Sequence, residues 1–310
     1  MKIFAPDYYE KFKCIADKCR HSCCIGWEIY IDGATYEKYK ALDNPIKDEL
    51  LSSIENSSEG IRFKQSYRGR CPMLSECGLC RLITAVGEEM LSDICRLHPR
   101  FICDKGKRRE IGLGLACEEA ARLALLGEEY PRLVEIGECE GAEEECGYDS
   151  LKIRDSLVSI LSMDVPLLEK LRLAEKKFGV TTSIHTNEEW ISLFSSLEIL
   201  DSEWREILDR VSGEIKRGRE LSPLSKRNEE ICSKFMIYLA SRHIFAADSE
   251  PQARAAVGFS LLGGKILALL ISTLGASEED AVMLARLYSS EIEYSESNTD
   301  EIFFEFQADF

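Results

Sequence analysis

The sequence predicts a mainly α protein that opens with a cysteine-rich, metal-binding module and continues as a helical domain. Three observations predict it. Twelve of the thirteen cysteines precede residue 147, leaving only Cys232 for the second half. Apolar residues then recur at helical spacing almost to the end of the chain. Few runs alternate as strands do, and the two short ones, Ile29-Tyr-Ile31 and Ile61-Arg-Phe63, are expected around the metal module. Acidic residues and turn formers between Gly137 and Tyr148 read as a linker, which divides the chain into a metal-cluster module (residues 1–145) and a helical domain (residues 146–310). Cys139 and Cys146 fall in that linker as free thiols.

The thiols point to metal rather than to disulfides. Disulfide-dense chains are usually far shorter and belong to oxidising compartments. The amino terminus, Met1 to Glu10, has no apolar run followed by a small-residue cleavage site, so the expected location is the cytoplasm. An odd cysteine total and the vicinal pair Cys23-Cys24 also suit metal better than bridges. One block holds Cys14, Cys19, Cys23 and Cys24, and a second holds Cys71, Cys77, Cys80 and Cys95, with Cys103 and Cys117 beyond. Structural zinc favours paired knuckles, and only Cys77-Gly-Leu-Cys80 has that form. Iron–sulfur clusters draw thiolates from a tight run plus a remote contributor. Spacing therefore prefers iron–sulfur, with zinc as the alternative, since thiolates suit both metals. Arg20, Arg70, Arg81, Arg96, Arg100, His21 and His98 stand among the thiols, where cations would stabilise a negative cluster or simply solvate a surface. The C-x3-C-x2-C motif of radical enzymes is absent, because Gly26 occupies its third position.

Helices are expected at Cys117–Leu126, ended by Gly127, and then at Leu151–Met163, Pro166–Phe178, Glu188–Val211, Lys226–Ala247, Ala255–Thr273 and Glu278–Tyr294. The run Ala256 to Thr273 is the most apolar, but it carries Lys265 and falls short of the roughly 20 apolar residues of a membrane span. It reads as a core helix, with Gly263-Gly264 permitting close packing. Gly112-Leu-Gly114 lacks the third glycine of a dinucleotide fingerprint. A net charge of −16, from 55 acidic and 39 basic residues, disfavours nucleic acid and suits a basic protein surface.

Two polar constellations stand out in the second half. Arg242 and His243 end the apolar helix that begins near Lys226, either as cations facing the carbonyl dipole or as part of a site. Tyr288, Glu291, Ser295 and Asn298 share one helical face, either solvated or functional.

Together these residues resemble a known family. Phe-x-Cys14, Cys19-x3-Cys23-Cys24-x2-Trp27, Cys71-Pro-x-Leu with Gly78-Leu-Cys80, Cys95-Arg-x-x-Pro-Arg-Phe101, Cys117-x-Glu-Ala-Ala-Arg, Tyr238-x3-Arg-His243 and Tyr288-Ser-x-Glu-Ile-Glu-Tyr-Ser-Glu-x-Asn298 are similar to flagellin lysine-N-methylases. The cysteine half is also similar to a broader zinc- or iron-chelating family. The resemblance implies S-adenosylmethionine-dependent methylation of flagellin lysines by a protein with a cysteine-bound iron–sulfur cluster of the 4Fe-4S type. It implies a ligand pool of Cys14, Cys19, Cys23, Cys24, Cys71, Cys80, Cys95 and Cys117, of which one four-iron cluster needs four. Cys77 and Cys103 lie outside the pattern. Methyl transfer to an amine needs neutral lysine, whose ordinary pKa is about 10.4. On this reading Glu291, Glu293 and Tyr288 are candidates for binding or deprotonating the lysine, and Arg96 and Arg100 for holding the cofactor. The competing expectation is a non-enzymatic metal-binding or redox-sensing module with a helical, partner-docking half.

Overall fold

The computed structural model describes residues 1–66, 69–141, 148–218 and 222–307. Among them thirteen α-helices far outweigh six strands, so the protein is mainly α as expected. In chain order the elements are β1 (Lys2–Pro6), α1 (Gly33–Ala41), α2 (Lys47–Ser52), β2 (Ile54–Asn56), β3 (Ile61–Phe63), α3 (Arg81–Val86), α4 (Asp93–Leu97), β4 (Arg100–Lys105), β5 (Arg108–Leu113), α5 (Glu118–Leu126) and β6 (Leu133–Glu138). There follow α6 (Leu151–Leu161), α7 (Leu167–Phe178), α8 (Asn187–Ser196), α9 (Ser202–Lys216), α10 (Lys226–Ala246), α11 (Glu250–Leu274), α12 (Glu278–Tyr288), a π-helical turn (Ser289–Glu293) and α13 (Glu296–Gln307).

Two compact units divide the chain, one of residues 13–101 with 117–119, the other of residues 1–12, 102–116 and 120–310. The cysteine-rich unit is thus an insertion into the helical one. The expected boundary at residues 145 and 146 falls outside the described residues, as does Cys146.

In the helical unit β1 lies between β5, which it pairs in parallel, and β6, which it pairs antiparallel; β4 completes the order β4-β5-β1-β6. This sheet was not expected. Its partners are more than a hundred residues apart, and its strands carry charges such as Arg108, Arg109 and Glu110, which hide the alternation. Gly106, at φ 55°, turns the chain between β4 and β5. Glu110 of β5 and Arg154 of α6 form a buried ion pair in which one guanidinium nitrogen donates to both carboxylate oxygens, at 2.7 and 2.8 Å. It ties the sheet to the helices.

The helical core is built on α10 and α11, which pack against each other, with α6 against α10 and α12 and α13 against α11. Gly263 and Gly264 make the close approach: a Cβ at Gly263 would overlap Leu239, and one at Gly264 would overlap Met236. The apolar window of α11 is the one span long and apolar enough to cross a membrane among the described residues, and 83% of it is buried within the protein. Lys265 is accommodated by donating to the Thr182 carbonyl at 2.8 Å. Helix starts follow the sequence closely. Thr186 with Glu189, and Ser277 with Asp280, form reciprocal caps at α8 and α12. Gly179 and Gly275, in the left-handed conformation, end α7 and α11.

The single helix expected over Glu188–Val211 is instead two, α8 and α9. Asp201 caps α9 through the Glu203 amide. A distant carboxylate, Glu291, accepts from the amides of Leu200 and Asp201 at 2.9 and 3.0 Å, which satisfies the break from outside the local sequence.

The cysteine-rich unit has its own small core of Ile29, Ile31, Tyr39, Leu50, Phe63, Cys71, Met73, Leu74 and Leu82. β2 and β3 form its hairpin. Ile61–Phe63 is a strand as expected; Ile29-Tyr-Ile31 supplies only an isolated bridge from Tyr30 to Arg62.

Candidate metal centre and a buried carboxylate cluster

All eight cysteines of the expected ligand pool fall in the inserted unit. Every cysteine among the described residues is a free thiol. Cys14 and Cys23 are exposed, Cys71 is buried, and the other five are partly covered. Among the described residues no three His, Cys, Asp or Glu side chains converge closely enough to enclose an ion as they stand. The donor chemistry nevertheless fits a soft metal. Cys24, Cys80 and Cys95 pack with Cys71 around the small apolar core, which raises the cost of charge on any one of them without a cation. Burial pushes the Cys71 thiol up to about 12 and the Cys95 thiol up to about 11, and the neighbouring thiolates push them the same way. Cys24 is drawn down instead, first by the Cys23 thiol donating to it, then by Ser22 and the Arg70 charge. The Tyr39 hydroxyl, fully buried beside Cys95, Cys80 and Cys71, has no hydrogen-bond partner. An orphaned O–H donor among thiols is the arrangement that an anionic, metal-bound sulfur satisfies.

The arginines are mostly engaged elsewhere. Arg96 pairs with Asp93 at 2.6 Å on its own helix, Arg81 with Glu49, and Arg20 with Glu118 at 3.7 Å. Arg70 is the one whose charge lowers a thiol, that of Cys24. Arg100 stands beside His98, whose ring is held down to about 4 by burial first and then by that guanidinium. His98 is therefore a neutral imidazole, tilted against Trp27 at 5.6 Å. Cys77 is exposed, bonded to the Ser75 hydroxyl at 3.1 Å. Cys103 lies in the other unit.

That helical unit holds a second constellation. The π-helical turn after α12 carries Glu293 into the interior, where its side chain is fully buried. His243 Nε2 lies 3.0 Å from Oε1, Ser289 Oγ donates to Oε2 at 2.6 Å, and an Arg242 nitrogen stands 3.4 Å from Oε1. Arg242 also donates to the Tyr238 hydroxyl at 3.0 Å, and that hydroxyl accepts from the Leu115 amide at 3.3 Å. Burial pushes the Glu293 carboxyl up, but Arg242, His243 and Ser289 outweigh it and hold the group below its ordinary range. Glu293 is therefore an ionised carboxylate that orients a histidine, a pairing typical of proton-transfer sites. The two readings offered for Arg242 and His243 thus converge on a polar site.

The other two candidates are placed differently. Glu291 spends both oxygens on the α8–α9 break, and burial raises its carboxyl to about 7 against the pull of those amides. Tyr288 is fully buried among Phe194, Trp204 and Phe235, and its hydroxyl has no partner. Neither reaches the surface. Ser295 and Asn298, expected on the same face, bond instead to Glu198, at 3.0 Å and 2.8 Å. Sequence reading missed that Ser289 and Tyr238 support the Glu293 cluster. The four-residue step from Tyr238 to Arg242 was a usable signal; the extra residue of the π turn was not, because it breaks helical periodicity.

A mainly α protein with a thiol pool in an inserted unit and a buried cluster of Glu293, His243 and Arg242 in its helical unit is the class that fold and sites define. Over 123 residues, 38% of this chain, it is 34% identical to proteins named Lysine-N-methylase from Salmonella typhimurium and Salmonella choleraesuis, and 32% identical to the Flagellar biosynthetic protein FliU of Salmonella muenchen. The match spans 31% of each lysine-N-methylase and 73% of FliU. No family model and no solved structure matches. The chain belongs to the flagellin lysine-N-methylase family.

Proposed function

We propose that this protein transfers methyl groups from S-adenosylmethionine to lysine side chains of flagellin, in the cytoplasm, and that its inserted unit carries a cysteine-ligated iron–sulfur cluster. The observation that carries the reading is the kinship with proteins named Lysine-N-methylase and with a flagellar biosynthetic protein. Bound, the methyl donor supplies an electrophilic carbon on a sulfonium, and the cluster a rigid metal centre held by thiolates from Cys14 to Cys117. The chain's own work is to prepare the amine. A lysine ammonium must lose its proton before nitrogen can form the new bond to carbon while the sulfur–carbon bond breaks. His243 is the group that takes that proton. Glu293 positions it by holding Nε2, which leaves Nδ1 for the incoming ammonium, and stabilises the imidazolium that forms. Arg242 keeps Glu293 ionised throughout.

The test is anaerobic incubation of the purified protein with flagellin and S-adenosylmethionine, read by intact-protein mass. The expected outcome is a gain of CH2 per methyl added, confined to lysine peptides. Unmodified flagellin in the presence of protein with its metal content confirmed would overturn the proposal.

A further inference from the structure

The eight thiols separate into two fours along lines drawn by the backbone. On one side, the Cys14 sulfur accepts from the Ala16 amide at 3.4 Å across the tight turn that ends at Cys19. Glu118 then draws residue 117 to this loop through further contacts besides its pairing with the Arg20 side chain. Its carboxylate accepts from the Arg20 amide at 2.9 Å, stands 3.8 Å from the Cys19 sulfur and lies 3.5 Å from His21 Nδ1. Residues 117–119 belong to the inserted unit although the chain around them does not. On the other side, the Cys71 amide donates to the Cys24 carbonyl at 2.8 Å. A bridge joins Leu74 to Cys80, and the Arg81 amide donates to the Met73 carbonyl at 2.8 Å. Cys24, Cys71, Cys80 and Cys95 all pack on the one small core, whereas Cys14, Cys19, Cys23 and Cys117 do not. The orphaned Tyr39 hydroxyl sits with the second four alone.

We infer that the inserted unit holds two separate tetrathiolate metal sites, one from Cys14, Cys19, Cys23 and Cys117 and the other from Cys24, Cys71, Cys80 and Cys95. The vicinal pair is then the seam, with the exposed Cys23 serving one site and the core-packed Cys24 the other. This accounts for a pool twice the size that one four-iron cluster needs. It deepens the proposed cluster and rests on that reading only for the identity of the native metal. Any thiophilic ion tests the geometry.

The full chain, reduced and freed of metal, is titrated with cobalt(II) alone under anaerobic conditions and followed by thiolate-to-cobalt absorption. Binding should stop at two equivalents. Cys14→Ser, at an exposed position, should retain one equivalent, Cys80→Ser should retain the other, and Cys77→Ser should bind two. Saturation of the unaltered protein at one equivalent would overturn the inference. So would loss of all cobalt from Cys14→Ser while its far-ultraviolet dichroism stays native. Should Cys80→Ser fail to fold, Cys14→Ser and the unaltered protein still decide the matter. Two equivalents bound without any flagellin methylation would sink the proposed activity and leave the two sites standing.

Discussion

His243 and Glu293 stand fifty residues apart in sequence and 3.0 Å apart in space, joined because a π-helical turn swings the carboxylate inward after α12. The pair has consequences for rate and for stability, and they are separable. Replacing His243 with Asn removes the proposed proton acceptor and is expected to lower kcat roughly a hundredfold at pH 7.5. The deficit should shrink as pH rises toward the ordinary lysine pKa of about 10.4, where free amine forms unaided. A deficit constant across the pH profile would count against the role.

Glu293→Gln leaves the Arg242 guanidinium without its counter-charge in a buried setting and should cost roughly 3 kcal/mol, read from the urea midpoint at neutral pH. Because the folded carboxyl titrates below its ordinary value of 4.5, its contribution is fully present above that pH and is lost as pH falls through the lower folded value. The gap between variant and parent should therefore narrow on acidification.

Glu291 has the opposite sign. Its carboxyl is raised to about 7 by burial, so the folded state holds more protons than the unfolded one between about 4.5 and about 7. This group alone makes stability fall as pH rises through that window. Glu291→Gln should flatten that slope, measured by denaturant unfolding at half-unit pH steps.

Gly263→Ala forces a methyl against Leu239 where α10 meets α11. Helix propensity would return up to about 1 kcal/mol, but overpacking of a close-packed core costs about 1–3 kcal/mol. A net loss in melting temperature is expected, partly relieved by Leu239→Ala in the double variant.

Among the thiols, Cys77 should alkylate well before Cys232 in the metal-free protein. The Ser75 hydroxyl lowers its pKa and the side chain is exposed, whereas Cys232 is sealed in α10 and raised by burial. Pulsed iodoacetamide labelling at neutral pH, read by peptide mass, ranks the two directly.

The legible parts were those written in local chemistry. Apolar periodicity located α10, α11 and α12, whose starts the structure then caps with Ser225, Ser249 and Ser277. Cysteine density located the thiol unit. What stayed hidden depends on residues far apart in sequence. β1 finds its partners only after β5 and β6 have been made, Glu291 satisfies a helix break some ninety residues upstream, and residues 117–119 rejoin a unit that the chain left at Phe101. Glu293 was named from its sequence neighbourhood, but its partner His243 was not linked to it, because a π turn shifts the register that helical spacing would predict.

The placement of residues 117–119 in the inserted unit means that this unit is complete only after residues 102–116 of the other unit have been made. When Phe101 has left the ribosome, seven thiols of the pool are already outside the tunnel and Cys117 is not. On the inference of two sites, all four thiols of the Cys24, Cys71, Cys80 and Cys95 set precede Phe101, whereas the other set is complete only once α5 begins. The order of the thiols along the chain thus makes the second set alone depend on residues made after the rest of the inserted unit.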